Sequence, residues 1–292
     1  MSEFRIDQIK SQDATRGPDV AGITTFTGTS GIVMPSGTTV DRASQGILGG
    51  VSKENLFLYH DPGLSLSSGL LTDLSGNDFH MQVVGPTLIL AGTDNRTSYL
   101  TFDGSNDYAR LTTDQNPQAL SSFPRSGSMT LGMTFRLNTF SHVRPFVNRW
   151  SGVDQFRVYM FNDLDNNTNN IGVNVYNSDG ILRTMPLNQT SNISTSEDIH
   201  FVFTYNAESG ELMTFRDGKR SYKELYYDSQ GEALPVKTVT DSDLDIGVNQ
   251  AYSPDRFGAF RFYNLYMYDR VLSDSEIKTI HNSFVGRGYN FA

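Results

Sequence analysis

Residues 128–137 alternate strictly. Met129, Leu131, Met133, Phe135 and Leu137 fall on one side, with Thr130, Thr134 and Arg136 on the other. A period of two predicts a half-buried strand with one apolar and one wet face. Similar short apolar runs recur at residues 55–59, 81–84, 88–91, 143–150, 155–161, 171–176, 181–185, 200–205, 211–216, 244–248 and 257–268. Turn chemistry separates them. Asn177-Ser178-Asp179-Gly180 and residues 206–210 each read as the tip of a hairpin, and Asp217-Gly218 turns the chain again. The strongest such signal is residues 99–111, where Tyr99-Leu100-Thr101-Phe102 and Tyr108-Ala109-Arg110-Leu111 flank Asp103-Gly104-Ser105-Asn106-Asp107. That pattern predicts a hairpin. Strands spaced about 8–12 residues apart with turn residues between them predict a sandwich or barrel.

One segment has helical spacing. Ser273-Asp274-Ser275-Glu276 is a capping box, in which the Ser273 hydroxyl accepts the Glu276 amide and the Glu276 carboxylate accepts the Ser273 amide. Leu272 and Ile277 have the spacing of a hydrophobic staple. Ile277, Ile280 and Phe284 line one face, and Gly286 is the expected stop.

The pattern thins toward the start. Phe4, Ile6 and Ile9 sit among polar neighbours, and from residue 11 to residue 50 Gly, Ser and Thr dominate, with Ile23 and Phe26 widely spaced. So few apolar side chains cannot offset the ordering entropy of this stretch alone. It is either a disordered tail or an extended arm ordered by other subunits. The second reading is adopted: residues 1–50 form a docking or oligomerisation arm carrying Phe4, Ile6, Ile9, Ile23 and Phe26, and residues 51–292 form the folded domain.

Composition narrows the functional classes. The 292 residues carry a net charge of −9, which argues against a nucleic-acid surface built from clustered Lys and Arg. No apolar stretch approaches twenty residues and no basic–apolar leader opens the chain, so neither a membrane span nor a secretory signal is expected. The absence of cysteine excludes disulfides, thiolate metal sites and cysteine nucleophiles.

LTDLSGNDFH, YLTFDGSNDY, FTYNAESGELMTFRDGK and FRFYNLYMYDRVLSDSEIKTIHNSF, in that order, resemble the concanavalin A-like, laminin-G-like jelly-roll superfamily. The resemblance covers roughly residues 51–292. It implies an all-β fold: an antiparallel β-sandwich of jelly-roll type with one short C-terminal helix and an extended N-terminal arm. It says less about function, because the fold hosts lectins, hydrolases, adhesion modules and viral surface domains. The opening, FRIDQIKSQDATRGPDVAGITTFTGTSGIVMPSGTT, resembles structural proteins of tailed phages, notably large myoviruses of cyanobacteria. That likeness implies a virion protein whose C-terminal domain is displayed.

Enzymatic motifs are missing. Jelly-roll glycosidases carry Glu-x-Asp-x-x-Glu on one strand to set two carboxylates about 5 Å apart. Here the nearest pair, Glu208 and Glu211, falls in a turn. No Gly-x-Ser-x-Gly elbow occurs, and His60, His80, His142, His200 and His281 lack ligand spacing. Calcium is the cofactor with the best sequence case. Asp163, Asp165 and Asn167 alternate as at the start of an EF-hand loop, although Thr168 and Asn174 replace its Gly and closing Glu. Asp241, Asp243 and Asp245 share that alternation. For a carbohydrate site, Trp150, Tyr176 and Tyr252 are the candidate stacking surfaces, with Tyr159, Tyr226 and Tyr227 behind them, although Trp150 reads first as a core residue between the sheets.

The sequence therefore predicts a non-enzymatic virion structural protein of a tailed phage. Its partners would be other virion proteins through the arm, its own copies as a homotrimer, and a host surface glycan. The alternative is a glycan-binding receptor-recognition module, an adhesin or lectin.

Overall fold

The computed structural model describes residues 32–33, 39–40, 48–67, 69–89, 97–111, 122–139, 144–150, 154–163, 168–177, 182–186, 193–228, 230–239, 243–249 and 256–291. The five apolar arm residues, Phe4, Ile6, Ile9, Ile23 and Phe26, lie outside them. Two short strands, β1 (Ile32–Val33) and β2 (Thr39–Val40), pair with each other. Then follow β3 (Leu56–His60), the single helical turn α1 (Pro62–Ser65), β4 (Leu66–Ser67), β5 (Leu70–Leu71), β6 (Met81–Val84), β7 (Thr87–Ile89), β8 (Tyr99–Asp103) and β9 (Tyr108–Leu111). The middle of the chain gives β10 (Met129–Leu137), β11 (Arg144–Trp150), β12 (Asp154–Asp163), β13 (Thr168–Tyr176) and β14 (Leu182–Pro186). The last elements are β15 (Ile199–Tyr205), β16 (Glu211–Arg216), β17 (Lys219–Leu225), β18 (Leu244–Ile246), β19 (Ala259–Tyr268) and helix α2 (Asp274–Arg287).

Strands β3 to β19 form an antiparallel β-sandwich, with β1 and β2 pairing apart from it. The first sheet runs β17-β16-β15-β10-β19-β8-β7, with β3 sharing the far edge of β19. The second runs β14-β13-β12-β11-β18-β9-β6-β5-β4. Between them lies one continuous apolar core, including Leu131, Met133, Phe135, Phe146, Phe156, Phe203, Phe260 and Phe262.

The 99–111 hairpin does not form. β8 belongs to the first sheet and β9 to the second, so residues 103–107 carry the chain from one layer to the other. Side chains stabilise this corner in place of a hairpin ladder. The Asp103 carboxylate accepts the amide of Ser105 at 2.7 Å, and the Asp107 carboxylate accepts the amide of Asp103 at 2.8 Å. Asp107 also fills the space beside Gly85, which has a φ of +90° in the neighbouring crossing from β6 to β7. Two crossings thus share one carboxylate. The alternation was correct on both sides: Leu100, Phe102, Ala109 and Leu111 all point into the core.

A second correction concerns β10. Its Thr130 and Thr134 are buried, as are the apolar residues opposite them. The outer face of the first sheet is covered by α2, whose Ile277, Ile280 and Phe284 pack with Tyr59, Val202, Phe215, Tyr266 and Tyr268 in a second apolar cluster. Gly132 fits this cover, because the Tyr266 phenol occupies the position of its absent Cβ. The capping box at Ser273 and Glu276 forms as predicted, but the helix passes through Gly286 and stops at Gly288, which takes the left-handed conformation at φ 96°. The helix end is fixed from below: Arg287 donates to the buried Asp61 carboxylate at 2.6 Å, and the Tyr59 hydroxyl donates to it at 3.0 Å.

The motif LTDLSGN also has a local cause. Its Asp73 carboxylate accepts the amides of Tyr59, Ser75 and Phe79 and the Ser75 hydroxyl, which ties the 73–79 loop to β3.

Candidate functional site

Side chains on the second sheet alternate between the core and its outer face. Phe156 and Val158 of β12 point inward with Val173 and Val175 of β13, leaving Arg157, Tyr159, Asn174 and Tyr176 on the outer face. Register then aligns Gln82, Arg110, Asp245, Asn148, Arg157 and Asn174 as one row across β6, β9, β18, β11, β12 and β13. At the usual strand spacing the row is about 24 Å long. All six residues are polar.

Their arrangement is specific. Arg110 grips Asp245 in a bidentate pair, Nε to Oδ1 at 2.6 Å and Nη2 to Oδ2 at 2.9 Å, and Asp243 Oδ2 lies 3.6 Å from the same Nε. Burial pushes the Asp245 carboxyl up to about 6 against the pull of Arg110, so the pair is fully ionised only above that pH. Two arginines lie over tyrosine rings: Arg110 over Tyr108 at 5.2 Å and Arg157 over Tyr159 at 4.4 Å. The Tyr159 hydroxyl donates to Asn174 Oδ1 at 3.2 Å. Burial raises the Tyr159 phenol, with Arg157 opposing, which keeps the hydroxyl a donor at neutral pH. At the centre of the row Asn148 is buried. Its amide donates to the Val248 carbonyl, while its Oδ1 has no donor among the described residues. Leaving such an acceptor unpaired costs about 1–3 kcal/mol, the mark of a strained or functional position.

The predicted site residues fare unevenly. Tyr176 is half-buried on this same face, two positions beyond Asn174. Trp150 ends β11, but its side chain lies outside the described residues, and so does Tyr252. Asp163 ends β12, while its side chain and both Asp165 and Asn167 also lie outside them. In the second oxygen-rich run Asp243 and Asp245 both face Arg110, and Asp241 lies outside the described residues. Among the described residues no three His, Asp or Glu side chains converge as metal ligands. Glu211 pairs with Lys223, and Glu208 is exposed.

Folding does bring two histidines together. The rings of His200 and His281 stack with centroids 5.6 Å apart under α2, and His200 Nε2 lies 2.9 Å from the Tyr266 hydroxyl. Arg157 and Tyr159 escaped the sequence analysis as a pair, although their alternation with Phe156 and Val158 marks them as outward-facing neighbours.

No protein-family model matches the chain, and no curated protein matches it in sequence. Solved structures do match in fold. The binding domain of Paraclostridial Mosquitocidal Protein 1 superposes with a TM-score of 0.59 at 14% identity, covering 80% of this chain and 53% of that one. Domain 4 of AbnA, a GH43 extracellular arabinanase from Geobacillus stearothermophilus, solved with arabinotriose, gives 0.54 at 12% identity over 78% of this chain and 98% of that domain. The binding domain of Botulinum neurotoxin DC, solved with rat synaptotagmin II, gives 0.55 at 11% identity over 80% and 52%. The chain thus spans about half the length of the matched toxin domains. These likenesses define its class as a β-sandwich shared with carbohydrate- and receptor-binding domains. No helix among the described residues is long and apolar enough to cross a membrane.

Proposed function

We propose that the sandwich is a non-catalytic recognition module that binds a glycan on the outer face of its second sheet. The observation that carries this reading is the in-register row, in which Gln82, Arg110 and Arg157 reach solvent beside the half-buried Tyr108 while Asp245, Asn148, Asn174 and Tyr159 are buried behind them and hold them in place. Sugars offer adjacent hydroxyls to planar amide, carboxylate and guanidinium groups, and apolar C–H faces to aromatic rings. The fold likeness to a domain solved with arabinotriose supports this ligand class over a bare scaffold. Among the described residues of this face Asp243 and Asp245 are both committed to Arg110, which favours a binding role over catalysis by a paired acid and nucleophile.

The module would be displayed on a tailed-phage particle, with residues 1–50 as its attachment and trimerisation segment. Support for this context comes from the resemblance of the opening residues to phage structural proteins. A glycan array tests the recognition role. Wild-type protein should select a defined glycan set, and Arg157→Ala should lose it while keeping its thermal midpoint within a few degrees, with Tyr159→Phe weakening it in the same fold. An array with no selected glycan, or one unchanged by both variants, overturns the proposal. Deleting residues 1–46, short of Leu48 that is buried against α2, tests the attachment: the sandwich should still fold but no longer join the particle, and normal incorporation would refute it.

A further inference from the structure

Two clefts flank the loop that carries Arg125, at the end of the first sheet where β3 and β10 begin and β19 ends. One, of about 360 Å³, has Lys53 and Arg125 on its walls and Leu56, Phe57 and Phe79 among its lining. The other, of about 470 Å³, lies between Arg125 and Lys237, with Pro124 and Pro235 as apolar walls. Both sizes fall within the ~300–1,000 Å³ typical of small-ligand sites. Neither cleft contains a residue of the polar row, so the inference does not rest on the sheet face.

The charge pattern is unusual for this chain. Lys53, Arg125 and Lys237 surround the clefts against a single carboxylate, Asp269, in a protein of net charge −9. Asp269 accepts the Ser126 amide at 3.3 Å, the Ser126 hydroxyl at 3.4 Å and the Arg125 amide, and the Arg125 charge favours its ionised form without a direct ion pair. Arg110, Arg136, Arg216, Arg220, Arg270 and Arg287 are all held in ion pairs. Among the described residues, none of the three cleft cations makes one.

The walls are also held from inside. Gln155 is buried, and its Nε2 donates to the carbonyls of Phe123 at 2.6 Å and Lys237 at 2.7 Å, one on each wall of the second cleft's mouth. Arg149, equally buried, donates from Nη1 to Gln155 Oε1 at 2.9 Å and from Nη2 to the Val239 carbonyl. The Gly127 carbonyl accepts the Val236 amide at 3.0 Å, and Pro235 fills the space beside Gly127. Burying an arginine is costly unless its hydrogen bonds are used. Here they fix the two loops on which Arg125 and Lys237 stand, the preorganisation expected of a binding site.

We propose that the two clefts form one binding site for an acidic oligosaccharide. Its carboxylate or sulfate groups are held by Lys53, Arg125 and Lys237, and a ring face lies against the exposed Pro235 wall. Arg149 and Gln155 are positioning residues. Neutral amides such as Asn55 and Asn77 beside the cations suit a hydroxyl-rich chain. Three dispersed charges on an acidic protein do not suit a nucleic acid, whose binding depends on many phosphate contacts.

Isothermal titration of the full chain with oligogalacturonate, a heparin-derived octasaccharide and a neutral dextran oligomer, each at 50 and 300 mM salt, tests this. At least one acidic probe should bind, more weakly at high salt, and dextran should not bind. Carboxylate and sulfate recognition are separated by which acidic probe is the tighter. The triple variant Lys53→Glu/Arg125→Glu/Lys237→Glu should lose at least tenfold in affinity, and the exposed single variant Arg125→Glu at least threefold, with thermal midpoints unchanged. The charge-matched control Lys278→Glu, exposed on α2, should stay within twofold of wild type. The inference is overturned if no acidic probe binds, if dextran binds equally, or if the charge reversals have no effect. It is equally overturned if Arg157→Ala is the change that abolishes acidic binding.

Discussion

The ring of Tyr159 lies over Gly172 on the neighbouring strand, where a Cβ would stand 2.6 Å from its Cζ. The glycine lets the ring lie down on the sheet between Arg157 above and Asn174 beside it. Gly172→Ala should push the ring aside and cost about 1–3 kcal/mol, the usual penalty of overpacking. In a Tyr159→Ala background the same change should cost little. Urea unfolding of both single variants and the double variant measures this coupling, and additive costs would refute the contact.

Buried histidine gives one pH dependence. Burial holds His200 well below its ordinary value, and the neighbouring His281 adds to the effect. Asp217, Lys219 and Tyr266 also face this pair. In the fold His200 stays neutral, while the unfolded chain takes up a proton below about pH 6.5. Its contribution to stability is therefore complete above that pH and lost as the pH falls. His200→Gln lacks this loss. Relative to wild type it should gain about 1.4 kcal/mol per pH unit below 6.5. Urea midpoints at pH 7.5 and 5 decide it, and a constant difference between the two proteins would count against it.

Asp245 should behave in the opposite sense. Its folded carboxyl titrates at about 6, above the unfolded value near 3.9. Between those values the native state holds the proton more tightly, so this group's contribution falls as pH rises from 4 to 6. Asp245→Asn removes the titration, and its stability relative to wild type should improve over that range. If Asp245→Asn instead loses ground on wild type as the pH rises from 4 to 6, Arg110 rather than burial dominates the carboxyl.

The corner between the sheets depends on Asp107. Asp107→Ala leaves the Asp103 amide without its acceptor and opens space beside Gly85. A loss of about 1–3 kcal/mol is expected. Asp107→Asn, which keeps an acceptor, should recover part of it. Equal stability of the alanine variant and wild type would contradict this account.

Removing the helix cap with Ser273→Ala should cost about 1 kcal/mol. Because α2 covers Tyr59, Tyr266 and Tyr268, faster hydrogen exchange should appear in α2 before the core strands, which checks the mechanism as well as the magnitude.

Local chemistry is legible in the sequence. Alternation in residues 128–137 sets a strand, Asp217-Gly218 sets a turn, and Ser273 with Glu276 sets a helix start, because each depends on neighbours a few residues away. Pairing across layers is not. Residues 99–111 satisfy hairpin chemistry, yet Leu100 and Ala109 enter the core from opposite sheets, and only the partners β19 and β18 determine that. The same limit applies to the sites. Arg110 meets Asp245 from 135 residues away, and Gln155 bridges Phe123 and Lys237 across gaps of 32 and 82 residues. The sequence by itself determined the all-β class, the strand faces and the closing helix. Tertiary structure decided which faces became core, which polar residues formed one row, and which loops Arg149 and Gln155 hold. Side-chain direction is local, whereas convergence depends on the register of strands distant in the chain.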